Sequence, residues 1–192
     1  MRARYVALGA VVMLLSGCVR SENHTVMVDH GFHETIRQIV VYGSPDQSHM
    51  RWIRGGYDQA MRQDFAQCGI SLTLMRHEDG DEIDRLQQTI EIVRPDVLLM
   101  MAPVNAPRDN TMFDVHGEYK LTLFSVKEHR FVWRGRQKLS AVYEPGADLG
   151  ARFARTLFNR LAGDGLLGAG CHPSPLKSDV SGLSHKGVSA SV

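Results

Sequence analysis

Neither sign of charge dominates this sequence: 22 Lys and Arg stand against 21 Asp and Glu over 192 residues. That balance excludes the broad basic footprint of a nucleic-acid binder, and no nucleic-acid partner is expected. Cysteine is scarce. Three residues are too few for a disulfide scaffold. No apolar run reaches the length of a spanning helix, which excludes a multi-pass membrane protein. The candidate strand-to-helix turns carry no glycine-rich phosphate cradle, and no cofactor is expected. What remains is an ordinary globular composition, 43% hydrophobic and 22% charged, of a size for one domain.

The first residues give an address. Arg2 and Arg4 make a positive start, and Tyr5 to Gly17 is a 13-residue apolar stretch ending in small side chains. This is the layout of a secretory signal, too short to remain as a transmembrane helix. It closes on Leu15-Ser16-Gly17-Cys18, which resembles the lipobox of bacterial lipoproteins. The resemblance implies cleavage before Cys18, diacylation of its sulfur and acylation of the new amine. Val19 follows, where an aspartate would resemble an inner-membrane retention signal, so the outer membrane is the expected location. Loss of residues 1–17 removes Arg2 and Arg4 and no acid, leaving 20 basic against 21 acidic side chains, a net of −1. With so little net charge, the expected anchor to the membrane is the lipid.

The mature chain divides by composition. Residues 18–35 are polar and read as lipid anchor and tether, residues 36–167 as the domain. From residue 163 onward there are 6 Gly and 6 Ser in 30 residues, so 168–192 reads as a disordered Gly/Ser-rich tail. Within the domain, Ile39-Val40-Val41-Tyr42 is a β-branched run stopped by Gly43. Ser44-Pro45-Asp46-Gln47 has the form of a capping box opening a helix. That helix places Met50, Ile53, Tyr57, Met61, Phe65 and Cys68 on one stripe. Gly55 and Gly56 interrupt it, implying either a bend or a backbone that comes close to the sheet. Ile70, Leu72 and Leu74 alternate as a strand. A second helix starting in Asp79-Gly80-Asp81-Glu82 is expected to bury Ile83, Leu86, Ile90 and Val93.

Val97 to Met101 is continuously apolar, as in a central strand covered on both faces. Pro103 to Asp114 reads as a twelve-residue loop. Tyr119–Leu123 and Phe131–Tyr143 alternate as strands joined by Lys127-Glu128-His129-Arg130, and Leu149, Phe153, Leu157 and Leu161 mark a last helix. The reading is an α/β fold, one layered domain of order βαβαββα, with helices packed on a mixed sheet. This order on a lipid anchor looks like the small periplasmic domains of outer-membrane assembly and cell-wall-regulator lipoproteins.

Chemistry is thinly marked. Gly43-Ser44-Pro45 lacks the flanking glycines of a nucleophile elbow, and capping accounts for its residues. His77 to Glu82 does not fit a calcium loop, and acids at a helix start are explained by its dipole. His24, His30 and His33 lack the thiolate or carboxylate partners of a zinc site, so no metal is expected. Cys68 and Cys171 remain after lipidation: they either pair in an oxidising periplasm, or Cys68 is a buried thiol. Met112 and Phe113 are large apolar residues in a polar loop, and either tuck into the core or contact a partner. The expected role is a non-enzymatic binding, assembly or accessory factor of the cell envelope, with an envelope protein or glycan as partner. The alternative is a small-ligand carrier or enzyme using a crevice at the strand ends.

Overall fold

The computed structural model describes residues 20–43, 45, 53–76, 82–111, 114–142 and 146–172. They form an α/β domain with six strands in one mixed sheet and three helices on it. The elements are β1 (Arg20–Val28), β2 (Gln38–Tyr42), α1 (Arg54–Gln67), β3 (Ser71–Met75), α2 (Glu82–Val93), β4 (Val97–Thr111), β5 (Asp114–Ser125), β6 (Arg130–Val142) and α3 (Gly146–Gly163). The sheet order is β1-β6-β5-β4-β2-β3. Three neighbouring strands, β3, β2 and β4, are parallel, and the rest pair antiparallel. Three consecutive strands precede α3, where the order βαβαββα has two.

Connectivity decides which face each helix covers. The chain crosses from β2 through α1 to β3, then returns through α2 to β4 on the far side of β2. Both crossovers join parallel strands and are right-handed by rule, so α1 and α2 lie on opposite faces. Helix α3 joins α1. Tyr57 meets Phe153 edge to face at 6.0 Å, and Phe65 meets Phe158 at 5.3 Å. Beneath them Ile39, Val41, Val97, Leu99, Leu121, Leu123, Trp133 and Leu139 form the inner face of the sheet, all buried.

The glycine-interrupted start of α1 comes close to α3. A β-carbon on Gly150 of α3 would stand 2.1 Å from the Ile53 carbonyl oxygen and 2.8 Å from the Tyr57 nitrogen. Gly56 is buried at this crossing, and Gly55 faces open space. At the carboxyl end of β2, Gly43 has φ +102° and would bring a β-carbon to 2.3 Å from the Met101 carbonyl oxygen. The start of β2 is held otherwise: Arg37 and Gln38 donate their N–H groups to one Asp96 carboxylate oxygen, at 2.7 and 2.8 Å.

Several readings of the sequence are corrected here. Residues 20–28 are not tether but an edge strand, with Arg20 opposite Ser140 and Val28 opposite Trp133. Their composition gives no alternation; β1 is held by the ladder to β6 and by polar ties to α3. The segment from Pro103 is not a loop either. β4 continues to Thr111 and pairs with β5 through three register shifts, which accommodate the prolines without ending the ladder. Beyond α3, Leu166, Leu167 and Cys171 are buried, so the domain continues past residue 167; residues 173–192 lie outside the described residues. In α2 the stripe is only half covered: Ile83 is 79% exposed, and Leu86, Ile90 and Val93 are intermediate. The helix lies alone on its face, with no second helix among the described residues to close over it.

The crossing at Gly150 gives a paired test. Gly150→Ala forces a methyl against backbone that cannot swing aside, and is expected to lower stability by about 1–3 kcal/mol. Gly163→Ala, whose β-carbon meets nothing within 4 Å, is expected to be neutral or to gain up to ~1 kcal/mol. Thermal unfolding of the two variants reads the difference, and equal losses would contradict the close crossing.

Candidate binding site

The last two turns of α3 lie beside β1, and between them is an open cleft of about 380 Å³. Asn23, Thr156, Asn159, Arg160, Gly163 and Asp164 line it. Asp164, just past the end of the helix, organises this region. One of its carboxylate oxygens accepts from the Thr25 hydroxyl at 2.6 Å and from the Trp133 indole N–H at 2.7 Å. Trp133 reaches it because Gly135, two residues on along β6, has no side chain: a β-carbon there would stand 2.4 Å from the indole ring. Arg160 donates to the Asn23 backbone carbonyl at 2.7 Å and lies 3.8 Å from the other Asp164 oxygen. One cation and one anion therefore offset each other at the mouth.

Asn23 is the anomaly. It is 8% exposed, and neither end of its carboxamide has a hydrogen-bond partner. Next to it in register, Gln137 is buried too, but donates to the Phe153 carbonyl at 2.8 Å. An orphaned buried amide costs free energy that a packed domain ordinarily avoids. The chemistry this cleft offers is hydrogen bonding to a neutral polar group. The Thr156 hydroxyl donates to the Arg152 carbonyl at 2.8 Å, so it is not held for nucleophilic attack. A sequence signal for the cleft exists: Thr156, Asn159, Arg160, Gly163 and Asp164 recur at helical spacing as a polar stripe beside the apolar one.

At the strand ends, the described residues make two hydrogen bonds. The Gly43 N–H donates to the Met75 carbonyl at 3.0 Å, and the Tyr119 hydroxyl donates to the Pro45 carbonyl at 2.8 Å. Arg76, after β3, pairs with Asp58 of α1. Ser44, Asp46 and Gln47 of the capping box, Met50 and residues 77–81 lie outside the described residues. His24 is on β1, and His30 and His33 are exposed in the β1–β2 connection.

Of the residues singled out from sequence, Cys18, Met112 and Phe113 lie outside the described residues. Cys68, at the end of α1, and Cys171, after α3, come together as a disulfide pair with α-carbons 5.2 Å apart, across 103 residues of chain. The spacing suits such a bond. Neither cysteine belongs to the cleft.

Asn23→Leu is a direct probe. It replaces two orphaned polar ends with an apolar group of similar size, and is expected to raise stability to urea unfolding by about 1 kcal/mol. A comparable loss instead would mean that water or a ligand satisfies the amide in solution.

No protein-family model and no curated protein matches this chain. Among solved structures it is similar to PelC dodecamers from Paraburkholderia phytofirmans. One, a variant with a single substitution, is 11% identical with a TM-score of 0.45, over 72% of this chain and 96% of that one. Another is 14% identical with a TM-score of 0.44, over 73% and 94%. It is also similar to lipoprotein GNA1162 from Neisseria meningitidis, at 13% identity and a TM-score of 0.40, over 66% of this chain and 99% of that one.

Proposed function

We propose that this chain is an outer-membrane lipoprotein, lipidated on Cys18, whose α/β domain is a non-enzymatic binding or accessory factor of the cell envelope. The observation that carries the reading is the join between signal and fold. Leu15-Ser16-Gly17-Cys18 is followed by Val19 and then by Arg20, the first described residue of the sheet. A cleavage point so close to the sheet leaves the domain whole and its lipid at the sheet's edge. Among the described residues no helix is long and apolar enough to cross a membrane.

The register supports a position for the partner contact. Arg20 pairs with Ser140, which pairs with His116, and Asp114 pairs with Thr111. The junction of β4 and β5 therefore belongs to the end of the sheet where β1 begins. We assign Met112 and Phe113, which the sequence puts in that junction, to contact with an envelope protein or glycan. In the oxidising periplasm Cys68 and Cys171 are bridged, and the bridge secures the segment after α3. The cleft with its orphaned Asn23 favours a second reading, a small-ligand carrier.

Three experiments test these assignments. Cys18→Ala should abolish incorporation of labelled palmitate and leave uncut precursor; wild-type protein that takes up no label and fractionates as soluble periplasmic protein would sink the reading. Changing Met112 and Phe113 together to serine should abolish crosslinked pull-down from membranes while melting stays unchanged, and an unfolded double variant would return both to the core. Reduction should lower stability by about 2–5 kcal/mol, the usual range for a native bridge over a long loop; non-reducing mass spectrometry that finds two free thiols would refute the bridge.

A further inference from the structure

The face of the sheet turned away from α1 and α3 is open over β1, β6 and β5, and it is basic. Along β6, Arg134, Arg136 and Lys138 are exposed and alternate with buried Gly135, Gln137 and Leu139. Lys120 of β5 is directly opposite Arg136, and His24 of β1 is opposite Arg136 on its other side. Lys120 and Arg136 are like charges directly opposite on one face, an arrangement that disfavours the sheet unless it is offset. The acids on the face offset only part of it. Glu118 pairs with Arg136 at 3.2 Å, and Glu22 lies 3.8 Å from the His24 ring nitrogen. Lys138 lies in the row between Glu22 and Glu118.

The formal balance of Lys120, Arg134, Arg136 and Lys138 against Glu22 and Glu118 is +2, in a mature chain whose net is −1. The face also carries an apolar element. Phe131 is 39% exposed, lies under the Arg134 guanidinium at 4.7 Å and stacks edge to face with Phe124. Exposed cations beside an aromatic ring are the composition of a surface that sits at lipid headgroups.

What brings such a surface to this face is the anchor. Cys18 precedes Arg20 by two residues, and two residues of chain span about 7 Å at most. A lipid on Cys18 therefore holds the Arg20–Ser140 end of this face near the membrane, and laying the face flat brings its other cations, out to Arg134 opposite Met27, within a screening length of about 8 Å of headgroup charge. We propose that the open face of β1, β6 and β5 lies on anionic lipid headgroups of the membrane that holds the Cys18 lipid. The proposal rests on the lipid-anchor reading and adds an orientation to it.

The test uses full-length lipidated protein reconstituted into vesicles of phosphatidylcholine alone, or of phosphatidylcholine with phosphatidylglycerol. Amine acetylation is followed by mass spectrometry. Lys120 and Lys138 should be modified several-fold more slowly on the phosphatidylglycerol vesicles, while Lys127, which pairs with Glu34 at 2.9 Å in the β5–β6 turn, is unchanged. Molar salt should erase the protection, and so should the exposed pair R134E and R136E. Protein that floats with both vesicles yet shows equal rates overturns the orientation and leaves the anchor standing. Protection by added polyglutamate on neutral vesicles, with none from phosphatidylglycerol, also overturns it, in favour of a soluble polyanion. Wild-type protein isolated from its own cells that carries no lipid on Cys18 and floats with neither vesicle sinks the anchor reading, and the orientation with it.

Discussion

The structure depends on how closely α3 lies against α1. At Gly150 the two backbones approach within the space a single methyl would fill, and this approach sets the two helices down together on one face of the sheet. Tyr57, Phe65, Phe153 and Phe158 fill the seam, and Tyr119 reaches up from β5 to meet Phe153 edge to face at 5.2 Å. With two helices committed to the inner face, only α2 among the described elements remains for the other. It covers the β2 region and leaves β5, β6 and β1 bare on that side. Connectivity puts α1 and α3 on one face, and the close crossing at Gly150 packs them together there.

How much of this was legible depended on whether local pattern or distant pairing decides each element. β2, the first residues of β4 (97–101) and the stripe of α1 could be read directly, because continuous β-branched or apolar runs and three–four spacing describe buried surfaces on their own. The β5–β6 hairpin was legible too, down to its turn, where His129 takes a left-handed conformation at φ 54°. β1 was not. Arg20 to Val28 has no alternation, and its strand form is supplied by β6, by the Thr25–Asp164 hydrogen bond and by the Arg160 bond to the Asn23 carbonyl. The outer half of β4 was misread for a related reason: prolines and asparagines favour loops locally, while an antiparallel partner with bulges absorbs them. α2 has the right pattern, but a pattern states which side a helix wants to bury and not whether the fold supplies a cover.

The sites divide in the same way. Cys18 is proposed from linear sequence alone, as a peptidase would read it before any fold exists. The Cys68–Cys171 pair stayed open between two readings because it joins chain 103 residues apart, and spacing cannot reveal such a meeting. The α3 cleft was half visible. Its polar stripe from Thr156 to Asp164 sits at helical spacing, but a polar stripe on a helix ordinarily means solvent. What marks it as a site is Asn23, which arrives from β1 and is left without a partner. That coincidence of a distant strand and an unsatisfied amide belongs to the tertiary structure alone.

Net charge hid the basic face completely. A mature net of −1 argued against any electrostatic hold on a membrane, and for an unfolded chain that argument is sound. Folding sorts the charges instead of changing their number. In a strand of period two, Arg134, Arg136 and Lys138 must share a face, and the register brings Lys120 opposite Arg136 on the next strand. A near-neutral sequence thus becomes a domain with a basic side. The same geometry fixes what the orientation leaves free. α1, α3 and the cleft beside Asp164 lie on the opposite side of the sheet from these cations, so the proposed contact with headgroups would turn the cleft away from the membrane. The first strand then links the two sides: its backbone carbonyl at Asn23 accepts the Arg160 bond at the cleft, while His24, one residue on, faces the charged row. Under the proposed orientation, alternation along a single edge strand relates the surface laid on the membrane to the cleft that faces away from it.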